Sequence, residues 1–283
     1  MLAIIGGTGV YNIENIEILG QESVDTPYGK PSSDIVKGKY AENEFLFLAR
    51  HGNNHALMPH EVNYRANIWA LKYSGATRII GVSAVGSLRE EIAPGDFAIP
   101  SGYFDFIKGN REKTFFGNGL VGHVSTANPT CPTLTNHIAN IALKSSYKIH
   151  TNDISYACVD GPRLGTKTES NFLRNSANCD LVGMTNVPEV FLAREAAICY
   201  CTIGVVTDYD CWRKNTDEHV NVADVIAKYQ SSIVNVKDLL KKIFEIKLPE
   251  RSCGCKDAVK QSILTPEDSL SKDKKELLKL LTK

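Results

Sequence analysis

Short apolar runs, each ending in a polar or glycine-rich loop, recur along the chain. Residues 2–5 break at Gly6-Gly7-Thr8-Gly9, residues 43–49 end at Arg50-His51-Gly52, and residues 78–83 run into Ala84-Val85-Gly86. Further on, 154–159 precede Asp160-Gly161-Pro162-Arg163, 180–184 precede Thr185-Asn186-Val187-Pro188, and 199–206 end at Thr207-Asp208-Tyr209-Asp210. Apolar runs without polar alternation predict strands buried on both faces. Between them lie stretches with helical spacing. Residues 60–74 carry Val62, Ala66, Trp69 and Ala70 on one face, with Gly75 as a stop. Residues 221–246 form a long amphipathic helix through Val222, Val225, Ile226, Tyr229, Ile233, Val236, Leu240 and Ile243. A last helix is announced by Thr265 as N-cap and Pro266 at its first position, followed by Leu270, Leu277, Leu278 and Leu281. Strand, loop and helix in repetition predict an α/β fold with a central, mostly parallel or mixed sheet flanked by helices. The 283 residues fit a single domain, 1–283, with a turn and a helix at 248–283.

Charge narrows the function. The 32 Lys and Arg cancel the 32 Asp and Glu, so no net field recruits nucleic acid or an anionic membrane, and an anionic ligand must be held locally. No apolar run approaches the roughly 20 residues that span a bilayer, and the first residues lack the basic flank of a signal peptide. A cytosolic protein is expected. None of the eight cysteines forms a Cys-x-x-Cys half-site, so no metal site is expected and most should be small buried residues. Cys253-Gly254-Cys255 is the exception, two neighbouring thiols in a glycine turn that invite oxidation or metal binding.

The loops carry the chemistry. Gly6-Gly7-Thr8-Gly9 fails the dinucleotide template, because position 12 is Asn where Gly is required. What remains is a glycine turn that brings backbone N–H groups and the Thr8 hydroxyl to an anion. Arg50-His51 offers a guanidinium fork with a second donor beside it. Ser83-Ala84-Val85-Gly86-Ser87 repeats the pattern with a hydroxyl and small residues. Ligands of open α/β sheets sit at the carboxyl ends of strands, so three such loops converge on one free-phosphate site. The pair Asp208 and Asp210, at another strand end, is placed for a substrate.

Seven motifs in order carry a resemblance along nearly the whole chain: Ile4 to Gly9, Leu48 to Gly52, Val62 to Leu71, Gly86 to Glu91, Gly161-Pro162-Arg163, Met184 to Val190, and Thr207 to Trp212. They resemble the trimeric purine nucleoside phosphorylase family, and within it the branch that cleaves 5′-methylthioadenosine. The resemblance implies phosphorolysis to adenine and 5-methylthioribose 1-phosphate, with inorganic phosphate as co-substrate and no cofactor. It implies a phosphate site of Thr8, Arg50, His51, Ser83, Ala84 and Thr185, with Met184 beneath the ribose. Asp208 and Asp210 would face the purine, Asp208 as the catalytic acid. His123, Val222 and Val225 would line the methylthio pocket, which a neighbouring subunit of a trimer, or of a dimer of trimers, helps to close. A relative acting on inosine, guanosine or methylthioinosine would be expected to lack this acid pair, and a non-catalytic purine binder to have lost part of the phosphate set.

Breaking an N-glycosidic bond builds positive charge on the sugar and negative charge on the base, so help is needed at both ends. A protonated Asp208 at N7 neutralises the departing base, and Asp210 accepts from the exocyclic amine, which favours a 6-amino over a 6-oxo purine. Three positions depart from the family pattern: Leu164 where an aromatic residue commonly packs on the base, Asp160 where Glu is usual, and Gly183 before Met184. These departures imply rearranged contacts to sugar and base.

Overall fold

The computed structural model describes residues 1–7, 10, 13–145, 147–214 and 221–283. Among these residues eleven strands form one mixed sheet: β1 Leu2–Gly6, β2 Glu17–Glu22, β3 Ile35–Tyr40, β4 Asn43–Ala49, β5 Arg78–Ser87, β6 Phe97–Ala98, β7 Gly102–Asp105, β8 Ile149–His150, β9 Ser155–Cys158, β10 Leu181–Gly183 and β11 Cys199–Asp208. The main path runs β2-β3-β4-β1-β5-β10-β9-β7, and β11 pairs with β5 and β6 beside it. The fold is therefore α/β with a central mixed sheet, as the alternation of elements predicts.

Four strands decide where function can lie. β4, β1, β5 and β11 are mutually parallel, paired β4 to β1, β1 to β5 and β5 to β11. Their carboxyl ends accordingly meet at one edge, where the loops after Gly6, Ala49 and Asp208 emerge. Period-two alternation sends neighbouring side chains to opposite faces. Ala3 and Ile5 of β1 join one core cluster with Ile68 and Leu71, while Leu2 and Ile4 join another with Leu239 and Ile243.

The helices covering those faces are α1 Tyr64–Tyr73, α2 Pro132–Lys144, α3 Lys167–Asn171, α4 Asn186–Glu195, α5 Val222–Glu245 and α6 Lys272–Thr282. α1 starts four residues after the expected onset because Asn63 is the cap, its side chain accepting from the Ala66 N–H, and Gly75 follows the helix at φ +91°. α5 opens where expected, with Asn221 accepting from the Asp224 N–H. α6 corrects the sequence expectation: its cap is Ser271, which accepts from the Lys274 N–H. The Thr265 hydroxyl instead accepts from the Val121 N–H, and Glu267–Ser269 makes only a single 3₁₀ turn. The β2–β3 hairpin went unpredicted because β2 is exposed along its whole length and carries no burial pattern. No helix among the described residues is long and apolar enough to cross a membrane.

Candidate active site

At the shared edge, β11 delivers the acid pair. The β5–β11 register slips between Val206 and Asp208, leaving Asp208 opposite Gly86. A Cβ at Gly86 would stand 2.9 Å from Asp208 Oδ1, so the missing side chain is the room that the carboxylate occupies. Asp208 Oδ1 accepts from the Asp210 N–H at 2.7 Å, and Oδ2 accepts from the Thr207 hydroxyl at 2.6 Å. That hydroxyl also lies 3.3 Å from the Val85 carbonyl. Burial pushes the Asp208 carboxyl up to about 6; the Asp210 charge adds to the rise, and the hydrogen bonds from Thr207 and Asp210 work against it. Asp210 is buried with φ +51°, and its carboxylate faces Gly165 in the loop before α3.

Arg50 leaves the end of β4 into the protein and is only 1% exposed. Its guanidinium is engaged within the protein. Nε and Nη2 close on Glu189 of α4, each at 2.7 Å, while Nη1 donates to the Val82 carbonyl at 2.7 Å and Nη2 to Ile5 at 3.4 Å. Burial acts to lower the Arg50 pKa, but the Glu189 charge and hydrogen bonds outweigh it and raise the pKa instead. A guanidinium has five N–H groups, so one on Nη1 is left for a ligand. Glu189 also accepts from the Tyr200 hydroxyl at 2.7 Å, and Gly81 gives this group its space, since a Cβ there would lie 2.5 Å from the Tyr200 oxygen. Glu189 was not expected at the site, although an acid inside the run Val187-Pro188-Glu189-Val190 was a signal available in the sequence.

His51 lies next along the chain. Its Nδ1 sits 2.9 Å from the Leu57 carbonyl, which can only accept, so Nδ1 carries the hydrogen. Burial pushes the ring pKa down to about 4, with the Arg50 charge and then His55 adding to the fall. The neutral ring therefore presents Nε2 as an acceptor. His55 stacks on it at 4.4 Å.

The Ser83 hydroxyl donates to Asn186 Oδ1 at 3.1 Å, the Thr185 hydroxyl approaches the same oxygen at 3.4 Å, and Asn186 Nδ2 donates to Thr202 at 2.8 Å. Ser83 and Thr185 thus meet where α4 begins, with Ala84 next along β5. Thr8 lies outside the described residues, while Gly7 beside it lies near Tyr229 of α5.

The Met184 carbonyl accepts from Arg111 Nη1 at 2.7 Å, and the same nitrogen reaches the Val187 carbonyl at 2.9 Å while Nη2 reaches Asp160 O at 2.9 Å. Arg111 is buried and fixes the loop around Met184; no motif marked it. Two departures from the family pattern also find local causes. A Cβ at Gly183 would lie 2.2 Å from the Tyr156 hydroxyl, and the Asp160 carboxylate accepts from the backbone N–H groups of Lys108 and Gly109.

Val222 and Val225 occupy the first turn of α5, on the face that continues to Tyr229. Val222 is 61% exposed. His123 is exposed on a loop whose backbone N–H donates to Ser262, and no hydrogen bond or core contact among the described residues links it to either valine. Among the described residues, the group able to hold a metal ion is Cys131, Cys199, Cys253 and Cys255. It sits at the start of β11, about 30 Å from Asp208 at about 3.3 Å per residue.

The parallel edge and its acid-and-hydroxyl lining belong to a known class: the chain is a member of the phosphorylase superfamily, whose family model matches residues 1–245. Within that class it is 41% identical over 281 residues to the S-methyl-5′-thioadenosine phosphorylase of Geobacter sulfurreducens, covering 99% of this chain and 97% of the relative. It is 44% identical over 260 residues to that of Thermococcus kodakarensis, covering 92% and 97%. Among solved structures it is similar to a methylthioadenosine phosphorylase from an antarctic soil metagenomic library, with TM-score 0.88, 39% identity and coverage of 99% and 98%. The methylthioadenosine phosphorylase of Schistosoma mansoni in complex with adenine superposes with TM-score 0.85 at 34% identity, covering 95% and 100%.

Proposed function

We propose that the protein catalyses phosphorolysis of 5′-methylthioadenosine to adenine and 5-methylthioribose 1-phosphate. The observation that carries this reading is Asp208, a half-buried carboxyl raised to about 6 at the same sheet edge as the hydroxyls of Ser83 and Thr185. Phosphate sits among Ser83, Ala84, Thr185, His51 and the remaining N–H of Arg50, joined by Thr8. A phosphate oxygen attacks the anomeric carbon, and the electrons of the broken C–N bond flow into the purine. Asp208 gives its proton to N7 and regains one from solvent, so the base leaves neutral. Asp210 accepts from the 6-amino group, and Met184 supports the ribose. The residues supply positioning, charge and one proton; no cofactor has a role.

The methylthio end is open in a single chain, where Val222 and Ile226 are exposed on α5. A homo-oligomer closes it, a trimer or a pair of trimers, in which His123 reaches the pocket from a neighbouring copy. The cytosol is where such small soluble substrates are met. Release of free base from methylthioadenosine, adenosine and inosine, each with and without phosphate, tests the reading. Phosphate-dependent adenine release, fastest from methylthioadenosine, is expected. Release independent of phosphate, or preference for inosine, would overturn it.

A further inference from the structure

Far from the acid pair, four cysteines from three distant parts of the chain meet. Cys131 caps α2, Cys199 opens β11, and Cys253 and Cys255 flank Gly254 in the turn after α5. Their four Sγ atoms all lie within 4.8 Å of one another. Cys253 stands 3.5 Å from Cys131 and 3.4 Å from Cys199, so it favours neither as a partner. With zinc–sulfur bonds of about 2.3 Å, a tetrahedral site has sulfurs about 3.8 Å apart. Three of the four residues are buried, and Cys253 is partly so.

The surroundings suit anionic sulfur. Cys131 accepts from the Leu134 N–H at 3.5 Å, in the first turn of a 13-residue helix whose N-terminal dipole favours negative charge. Arg251 lies beside the group, its Nη2 donating to the Ala197 carbonyl at 2.6 Å while its Nε is buried without a hydrogen-bond partner. Four thiolates on a divalent cation carry two net negative charges, which an adjacent guanidinium offsets.

We propose that Cys131, Cys199, Cys253 and Cys255 form a structural tetrathiolate site for a borderline-soft divalent cation, zinc, clamping the segment after α5 to the sheet and to α2. Four S–Zn bonds form as the remaining S–H bonds break, and the protons pass to solvent. The Cys-x-Cys pair supplies two ligands, and the fold supplies the other two from residues that no short motif connects.

The test uses the full chain without a histidine tag, prepared under reducing conditions with zinc and then passed through a desalting column. One zinc per chain by elemental analysis, together with eight titratable thiols after unfolding in chelator, is expected. Replacing zinc with cobalt should give the thiolate charge-transfer and ligand-field bands of a tetrahedral cobalt site. Cys253→Ser and Cys255→Ser should each lose at least nine-tenths of the bound zinc and lower the melting temperature. Cys201→Ala, outside the group, should keep the metal. Phosphorolysis at ambient temperature should persist in the Ser variants, which reports on folding independently of metal content. Eight free thiols without retained zinc, or disulfide-linked peptides joining these four cysteines in place of zinc, would overturn the proposal.

Discussion

Glu189 receives Arg50 through two parallel hydrogen bonds of 2.7 Å, both partners being essentially out of contact with water. The arginine that sequence motifs aim at phosphate is thereby the anchor of α4, and it holds the start of that helix, with Thr185 and Asn186, against the ends of β4 and β5. Removing one member of a buried pair leaves an uncompensated charge. Glu189→Gln should destabilise the fold by about 3–5 kcal/mol, read from denaturant unfolding. A loss under about 1 kcal/mol would mean that the pair is not what fixes α4.

Asp208 should set the pH dependence of turnover. The acid is useful only while protonated, and its pKa is near 6, so kcat/KM should fall about tenfold per pH unit above that value. Asp208→Asn should lower kcat by about 10²- to 10⁴-fold and flatten that limb, while phosphate affinity stays nearly the same. Parallel losses in turnover and phosphate binding would count against the assigned role. Folding follows the same sign. A carboxyl raised in the folded state adds stability that is full below its unfolded pKa, about 3.9, and is lost as pH rises through about 6. The stability difference between wild type and Asp208→Asn, measured across that window, checks it.

Phosphate binding should take up a proton. The free ring of His51 is neutral above about pH 4 and shows an acceptor at Nε2, whereas a phosphate dianion needs a donor there. The field of the anion raises the ring pKa, so binding near pH 7 should draw up to about one proton from solvent, and affinity should weaken as pH rises. Titration calorimetry in buffers of different ionisation enthalpy, across a pH series and corrected for the protons that phosphate itself gives up on binding as the dianion, reads the His51 proton count. A corrected count of zero would place His51 away from the anion.

Gly86→Ala should separate activity from stability. The added methyl meets the Asp208 carboxylate rather than backbone, so the flexible acid can yield while the strand stays paired. Turnover should drop by at least about tenfold, the cost of a misplaced catalytic group, with unfolding changed by less than about 1.5 kcal/mol. Unchanged turnover would show that the acid works equally well displaced.

Much of the fold was legible because its central strands are buried on both faces: β1, β4 and β11 appear in the sequence as unbroken apolar runs ended by loops. The edge hairpin was not legible, because β2 buries nothing. At the site, residue types announced the acids and hydroxyls, but not which way they point. Arg50 reads as a ligand fork until Glu189 is found 139 positions away, and His51 as a donor until Leu57 takes its Nδ1 hydrogen. Arg111 sits in no motif, and its importance comes from three carbonyls that only the folded chain brings to it. The four-cysteine group is half hidden for the same reason: Cys253-Gly254-Cys255 stands out in the sequence, but only the fold brings Cys131 and Cys199 to it.

Thr207 has one hydrogen and two oxygens within reach, the Val85 carbonyl and Asp208 Oδ2. While Asp208 is neutral, the hydrogen can rest on the carbonyl; once the acid is emptied, the hydrogen swings to the carboxylate. The fresh charge is then met by a torsion about a single C–O bond, with no heavy atom changing place. In water a whole shell of molecules would have to turn to do the same.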